Sequence, residues 1–396
     1  MASLPLLRSG PSGLAPRRVK YIRSLDQIPQ LSATERESLR RVTQRYALRA
    51  NDYYLGLIDW NDPDDPIRRL IIPRAEELED HGSLDPCNEA AVTVSRGVQH
   101  KYPNTVLLLC NETCGAYCRY CFRKRLFIRG SDEANIDVSA GLRHIAGDPN
   151  VTNVLLTGGD PLLMSTRRLR KIIEAIRAIP HVRIIRIGTK MPAFDPFRIL
   201  DDPELIELLS THSTPRQRIY IMAHFDHPRE LTEEAVAAID LLLRAGVICA
   251  NQCPLIHGIN DDPAVLADLF RELSFVGCPP YYLFQCRPTA GNRPYAVPIV
   301  RGWEVFREAL RRDSGLARRA RYVMSHEYGK VEIVGVDRRR IVLRFHRAKD
   351  RAERGRLMYY RRNDEAFWLD ELEPIRGGGG HKYESAAQLT TDEGPE

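Results

Sequence analysis

The stretch Cys110-Asn111-Glu112-Thr113-Cys114-Gly115-Ala116-Tyr117-Cys118-Arg119-Tyr120-Cys121-Phe122-Arg123-Lys124-Arg125 packs four of the chain's nine cysteines beside a basic run. Its last three thiols, Cys114, Cys118 and Cys121, have the spacing C-x3-C-x2-C, which lets one tight loop aim three sulfurs at a single inorganic centre. A fourth position on such a centre stays without a protein ligand, and that is where chemistry can occur. The spacing therefore reads as an iron-sulfur cradle. A structural zinc site is the competing reading, but its ligands usually come as two separated pairs. The later pair, Cys249 and Cys253, sits in a β-like run, where four residues of rise hold the thiols roughly 13 Å apart. A disulfide framework fits poorly with nine cysteines and no signal peptide. Cys110 ends the apolar run Val106-Leu107-Leu108-Leu109 and reads as a small buried hydrophobe.

At 396 residues the chain can bury a sizeable core, and 43% hydrophobic with 28% charged residues describes a globular protein. No apolar run approaches the roughly 20 residues that span a bilayer, so a membrane role has no support. The net charge of +6 sits largely in pieces such as Arg318-Arg319-Ala320-Arg321 and Arg338-Arg339-Arg340. Solvated faces explain such runs more often than nucleic acid does. Unpaired thiols and a cluster motif imply a reducing compartment, with cytoplasm as the expectation.

Around the cysteine stretch the chain divides into pieces. Residues 1–20 read as a mobile leader, with a mitochondrial transit peptide as the weaker alternative. Residues 21–100 read as an N-terminal helical region. There Ser32-Ala33-Thr34-Glu35 forms a capping box opening a helix to about Ala50, and turns follow at Asn61 to Pro66 and Leu84-Asp85-Pro86. Over 101–300, β-rich runs alternate with helical ones, the mark of a parallel sheet with helices outside it. Six strands are expected: Val106 to Cys110, Asn153 to Thr157, Val182 to Thr189, Ile219 to Phe225, Val247 to Leu255 and Tyr281 to Cys286. Leu169, Ile172, Ile173, Ile176 and Ile179 stand at helical spacing between two of them, and Thr232 and Gly246 bracket another helix. Residues 301–345 hold a helix from Trp303 to Arg312 and β-like runs at Ala320 to Met324, Val331 to Val336 and Ile341 to Phe345. Residues 346–396 read as a charged extension and polar tail.

With an aromatic residue just before its third cysteine, the cradle resembles that of the radical S-adenosylmethionine (SAM) enzymes. The surrounding residues resemble the lysine 2,3-aminomutase family, which also uses pyridoxal 5′-phosphate (PLP). The matches include Thr157-Gly158-Gly159-Asp160-Pro161, Arg186-Ile187-Gly188-Thr189, His224-Phe225-Asp226-His227-Pro228, Asn251-Gln252 and Pro280 to Cys286, over roughly residues 60 to 335. The resemblance implies an α/β fold, the radical SAM partial (β/α)6 barrel, with an N-terminal helical region and a small β-containing C-terminal extension. In such barrels reactive groups sit at the carboxyl ends of the strands.

The resemblance also implies roles. Cys114, Cys118 and Cys121 would ligate three irons of a 4Fe-4S cluster, and the fourth iron would bind SAM, which an electron from a donor cleaves to a 5′-deoxyadenosyl radical. Tyr120 would pack near the adenine, and the Gly158-Gly159-Asp160 turn would receive the SAM amino group, its glycines letting the ligand approach backbone. His224 and Gln252 are further contact candidates, with a hydrogen-bonded structural role as the alternative for His224 and His227. PLP would be held as a Schiff base by a lysine beyond the sixth strand. Lys382, behind Gly377 to Gly380, competes with Lys330. The distance from Gln285-Cys286 favours Lys330, with Gly329 beside it to admit the cofactor. Arg123 matches the arginine that pairs with the substrate α-carboxylate.

Lysine-specific members carry an aspartate directly after Gln-Cys and another shortly before the PLP lysine. Here those places hold Arg287 and the acid-free Val323-Met324-Ser325, so Arg287 and Ser325 point to an acidic or neutral amino acid such as glutamate or aspartate. The implied activity is that of an isomerase, a 2,3-aminomutase moving an α-amino group to the β-carbon. The alternatives are such an enzyme on another amino acid, a radical SAM enzyme modifying RNA or protein, and a non-enzymatic metal module. The expected partners are a small amino acid and an electron donor, with homo-oligomerisation open. No cysteine follows Cys286, so a carboxyl-terminal thiolate zinc site between subunits cannot be built.

Overall fold

Strands whose residues alternate between fully buried and half-buried have two different faces to satisfy, and this pattern organises the chain. The computed structural model describes residues 17–128, 131 and 133–380. The leader up to residue 16 and the tail from His381, including Lys382, lie outside the described residues. β1 (Tyr21–Ile22) and β2 (Ala50–Asn51) form a small antiparallel ribbon. All other strands join one twelve-stranded sheet in chain order. They are β3 (Thr93–Ser95), β4 (Val98–Tyr102), β5 (Thr105–Asn111), β6 (Asn153–Gly158), β7 (Ile184–Thr189), β8 (Arg218–Ala223), β9 (Ile248–Leu255), β10 (Pro280–Gln285), β11 (Arg321–His326), β12 (Gly329–Val336), β13 (Arg340–Ala348) and β14 (Leu357–Arg361).

The six expected strands are β5 to β10, all parallel. A seventh, β11, continues the parallel run beside β10, with Tyr282 opposite Arg321. Its crossover is the helix Ile299–Arg311, which buries Val300, Val305, Phe306 and Ala309. The Tyr322 hydroxyl donates to Gln285 Oε1, tying β11 to its neighbour. Antiparallel strands flank the run on both sides, and β14 arises from the charged extension.

The helix Thr166–Arg177 turns Leu169, Ile172, Ile173 and Ile176 inward. Val154 and Leu156 of β6, Ile185 and Ile187 of β7, Ile219 and Ile221 of β8, and Cys249 and Cys253 of β9 share that fully buried core. Each such large apolar side chain contributes about 1.5–3 kcal/mol. The alternate residues of the same strands, including Asn153, Thr157, Arg186, Gly188, Tyr220 and Gln252, and Phe284 of β10, are half-buried and line the interior of the curl.

The strand order is open, and side chains bridge the seam. Lys101 of β4 donates to the His326 carbonyl of β11. The Cys87 thiol donates to the Ser325 carbonyl at 2.8 Å. Arg347 of β13 reaches Asn104 Oδ1 at 3.3 Å and Thr105 Oγ1 at 3.5 Å, over the Tyr102 ring.

The N-terminal region covers the carboxyl end of the barrel. Ser32 and Glu35 cap the helix Ala33–Arg45 reciprocally. That helix stops short of the expected Ala50 because Tyr46 turns extended (φ −125°, ψ 116°) and lies buried under the Lys124 ammonium, 4.5 Å from its ring centre. Among the described residues no helix is long and apolar enough to cross a membrane.

Candidate active site

The cysteine loop leaves the carboxyl end of β5 and is held from three sides. On the first, Gly159 N donates to Asn111 O at 2.6 Å and Asp160 N to Thr113 O at 2.9 Å. A Cβ on Gly158 would stand 2.6 Å from Asn111 O, and one on Gly159 would stand 2.4 Å from Thr113 O. The space these glycines keep clear is thus filled by the loop's own backbone, whereas the sequence had suggested a ligand there. On the second side, Tyr117 N donates to Arg49 O and Arg119 N to Leu70 O, both at 2.9 Å. The Arg119 guanidinium grips Glu77 through Nε (3.0 Å) and Nη2 (2.7 Å), and Ala47 O through Nη1. On the third, Asn292 Nδ2 donates to Tyr120 O at 2.7 Å and Lys124 Nζ to Gly291 O at 2.9 Å.

Cys114, Cys118 and Cys121 are free and half-buried. Burial raises all three thiols, and for Cys114 the nearby Asp160, Cys121 and Cys118 add to it. Among the described residues no three His, Cys, Asp or Glu side chains converge tightly enough for one metal ion. The three thiols act on one another electrostatically, so the loop brings them to a common centre. The positive irons would offset the burial that disfavours the thiolates, so the donor set fits a 4Fe-4S cluster. Cys110 stands apart in the outer core, its sulfur 3.7 Å from Thr157 O.

Beneath the loop lies a buried polar network. The Tyr120 hydroxyl donates to Asp226 and lies 3.0 Å from His224 Nε2, which is itself 3.0 Å from Asp226 Oδ1. Lys190 Nζ pairs with Asp226 Oδ2 at 2.7 Å and Glu230 Oε1 at 2.6 Å. Burial would raise the Asp226 carboxyl, but His224 and Lys190 hold it well below the usual range. The hydroxyl of Tyr120 is therefore committed to the protein, which fixes its ring. His227 Nδ1 accepts from Arg229 N at 3.2 Å, a turn-capping role. Asp160 points toward the end of β7, accepting from Thr189 Oγ1 (2.8 Å), Lys190 N (2.7 Å) and Leu162 N (3.0 Å), and burial lifts it to about 6. Its side chain organises the turn. Gln252, half-buried on the interior face opposite Tyr282 in the ladder, has no side-chain hydrogen bond among the described residues.

Lys330 stands opposite Ser325 in the β11–β12 ladder, and its Nζ lies 4.4 Å from the Phe284 ring centre and 4.7 Å from that of Tyr282. Burial lowers its pKa well below the ordinary lysine value, and Arg287, Arg347, Arg186 and Lys101 lower it further. A lysine kept neutral among other cations is poised to attack a carbonyl, in a setting that suits a phosphate-bearing partner. These residues fit PLP. Gly329 is needed for close packing on β13, since a Cβ there would stand 2.1 Å from Arg347 O.

Arg123 and Arg287 meet at a residue that carried no sequence signal. Glu89 accepts from Arg123 Nε and Nη2 at 3.1 Å and from Arg125 Nη2 at 2.5 Å, and it lies 3.6 Å from Arg287 Nη1. Arg123 also reaches Thr157 Oγ1 at 3.0 Å on the interior face. Arg287 stacks on Phe122, 3.7 Å from the ring centre, so it points inward and not into a surface ion pair. Ser83 N donates to Pro288 O and Ala290 N to Ser83 O, docking the loop that carries Glu89 beside Arg287. A lone glutamate after a turn has no spacing that would mark it.

A cluster cradle at the end of the first strand of a parallel α/β curl defines a radical SAM protein, and residues 109–270 match the model of the Radical SAM superfamily. The chain is 52% identical to an Aquifex aeolicus protein named "Putative L-lysine 2,3-aminomutase", over 90% of this chain and 95% of that one. It is 36% identical to the L-lysine 2,3-aminomutase of Clostridium subterminale (74% and 70% of the two chains) and 32% identical to the glutamate 2,3-aminomutase of Clostridioides difficile (76% and 70%). A crystal structure of a radical SAM methyltransferase from Sphaerobacter thermophilus aligns at TM-score 0.39 and 19% identity, over 58% of this chain and 68% of that one, and adds nothing to the assignment. The chain belongs to the lysine 2,3-aminomutase family. It is a radical SAM aminomutase, an isomerase whose cofactors are a 4Fe-4S cluster, SAM and PLP.

Proposed function

We propose that this aminomutase moves the α-amino group of an amino acid with an acidic side chain, glutamate or aspartate, to the β-carbon. The observation that carries the proposal is the charge of the chamber around Lys330. Arg287, Arg186, Arg347 and Lys101 all act on that amine, while Glu89 is already shared by Arg123, Arg125 and Arg287. An ammonium side chain would meet like charge, at a cost of several kcal/mol. A carboxylate would meet Arg287.

When bound, SAM supplies the radical that abstracts hydrogen, and PLP carries the migrating amino group. The chain's own residues position and shield. Cys114, Cys118 and Cys121 hold the cluster, and Tyr120, Gly158, Gly159, Asp160, His224 and Gln252 shape the SAM side of the interior. Lys330 attaches PLP. Arg123 takes the substrate α-carboxylate, with Arg287 and Ser325 facing the side chain. The test is anaerobic turnover of glutamate, aspartate, alanine and lysine with SAM, PLP and dithionite, following β-amino products. Turnover of lysine alone refutes the assignment.

A further inference from the structure

Outside the barrel interior, an open basin of about 660 Å³ is walled by Arg23, Arg49 and Arg168, with Asn111, Thr113 and Tyr117 of the cluster loop at one side. Among the described residues no acidic side chain lines it and none of the three arginines is ion-paired. Arg49 is only 7% exposed, and its Nε has no hydrogen-bond partner among the described residues. Its guanidinium rests on the Tyr21 ring, 4.2 Å from the centre. Arg168 spends one nitrogen on Cys110 O at 2.7 Å, and Arg23 is exposed at the rim. Thr113 and Tyr117, which line the basin, directly precede Cys114 and Cys118. The basin therefore adjoins the cluster loop, away from the chamber where Lys330 and the substrate arginines gather.

We infer that this basin docks the acidic face of a small one-electron donor protein, which passes its electron to the cluster through the outer side of the Cys114–Cys118 loop. The inference rests on the radical SAM assignment. The step moves one electron and no atoms: the donor is oxidised by one electron and the cluster reduced by one. Buried positive charge without a counterion calls for an external anion. An exposed rim arginine above a buried one suits carboxylates borne on a protein surface, and complementary charge of this kind chiefly accelerates encounter.

The test measures the affinity of an acidic flavodoxin for the protein by calorimetry, expected to weaken about tenfold or more in the double variant below, and compares 5′-deoxyadenosine formation driven by dithionite with that driven by the same flavodoxin kept reduced by its reductase. The proteins compared are the wild type, Arg23→Glu and Arg23→Glu/Arg168→Glu. The double variant is expected to lose about tenfold or more of the flavodoxin-driven rate at low salt while keeping the dithionite-driven rate. The wild-type flavodoxin rate is expected to fall steeply with added salt. Equal losses with both reductants, or no loss with flavodoxin, overturn the inference, as does a wild type that dithionite drives and flavodoxin does not. Inhibition by inorganic phosphate at constant ionic strength, without a donor-specific loss in the variants, overturns it in favour of a small-anion site. A wild type inert with dithionite removes the radical SAM basis itself.

Discussion

Replacing Glu77 by alanine should loosen the cluster loop as well as the fold. Glu77 is 0% exposed and its partner Arg119 is 2% exposed. The same carboxylate accepts from Tyr295 OH and Arg74 N, both at 3.0 Å, and lies 3.6 Å from Lys124 Nζ. Removing it strands a buried guanidinium, at about 3–5 kcal/mol, and leaves two further donors unmet at about 1 kcal/mol each or more. That is a large part of the roughly 5–15 kcal/mol that holds a domain folded. Because Arg119 lies between Cys118 and Tyr120, the damage falls on the cradle. Urea unfolding midpoints together with iron per chain measure both effects, and Glu77→Ala should lower each. The double variant Glu77→Leu/Arg119→Met, which removes both members of the pair and leaves Lys124 on Gly291 O, should recover part of the stability. The carboxyl sits below its ordinary value of 4.5, because Arg119 and Lys124 outweigh the burial that would raise it. Its contribution is therefore present above about 4.5 and lost as pH falls through the lower folded value. A loss under about 1 kcal/mol with full iron, or a double variant no better than the single one, would falsify the argument.

Lys330→Ala should abolish borohydride-trapped PLP while leaving iron content and SAM cleavage in place, and a trapped peptide containing another lysine would refute the assignment. Because the Lys330 pKa lies well below 10.5, its attachment to PLP should persist to pH values far below that number, and a midpoint near 10 would contradict the chamber's electrostatics. Arg287→Asp should shift the kcat/KM ratio of lysine over glutamate upward by about tenfold or more; an unchanged ratio removes Arg287 from substrate selection. Gly159→Ala would drive a Cβ to 2.4 Å from Thr113 O, so iron retention should fall, and full iron with wild-type SAM cleavage would show that the loop can yield.

Much of this fold is visible in the sequence because its signals are local. β-rich runs alternating with helical ones located all six central strands, and the Ser32 box located a helix start. The seventh parallel strand was harder, since Arg321 to His326 takes its direction from where the preceding helix returns the chain, which is a tertiary matter. β14 lies in a segment whose charges mask its alternation. In the site, cysteine spacing is a short-range pattern and could be found. Glu89, Glu77 and Lys190 act through partners far away in sequence, such as Glu77 with Arg119 and Glu89 with Arg287, and no local pattern encodes that. The Gly158-Gly159 pair was noticed for a ligand, while in the structure a Cβ on Gly158 would meet Asn111 O and one on Gly159 would meet the Thr113 backbone.

The bridged seam has a mechanical consequence. Backbone ladders bind β11, β12 and β13 to one another, whereas toward β4 and β5 these strands are held by Lys101, Arg347 and the Cys87 thiol. Such contacts contribute about 1 kcal/mol apiece, and none belongs to the sheet's hydrogen-bond lattice. The curl behaves as a sleeve fastened by buttons. The panel carrying Lys330 and the panel carrying the cysteine loop thus meet at the seam through side chains, and two of them sit at ladder partners of Lys330: the Cys87 thiol on the carbonyl of Ser325, and Arg347 itself.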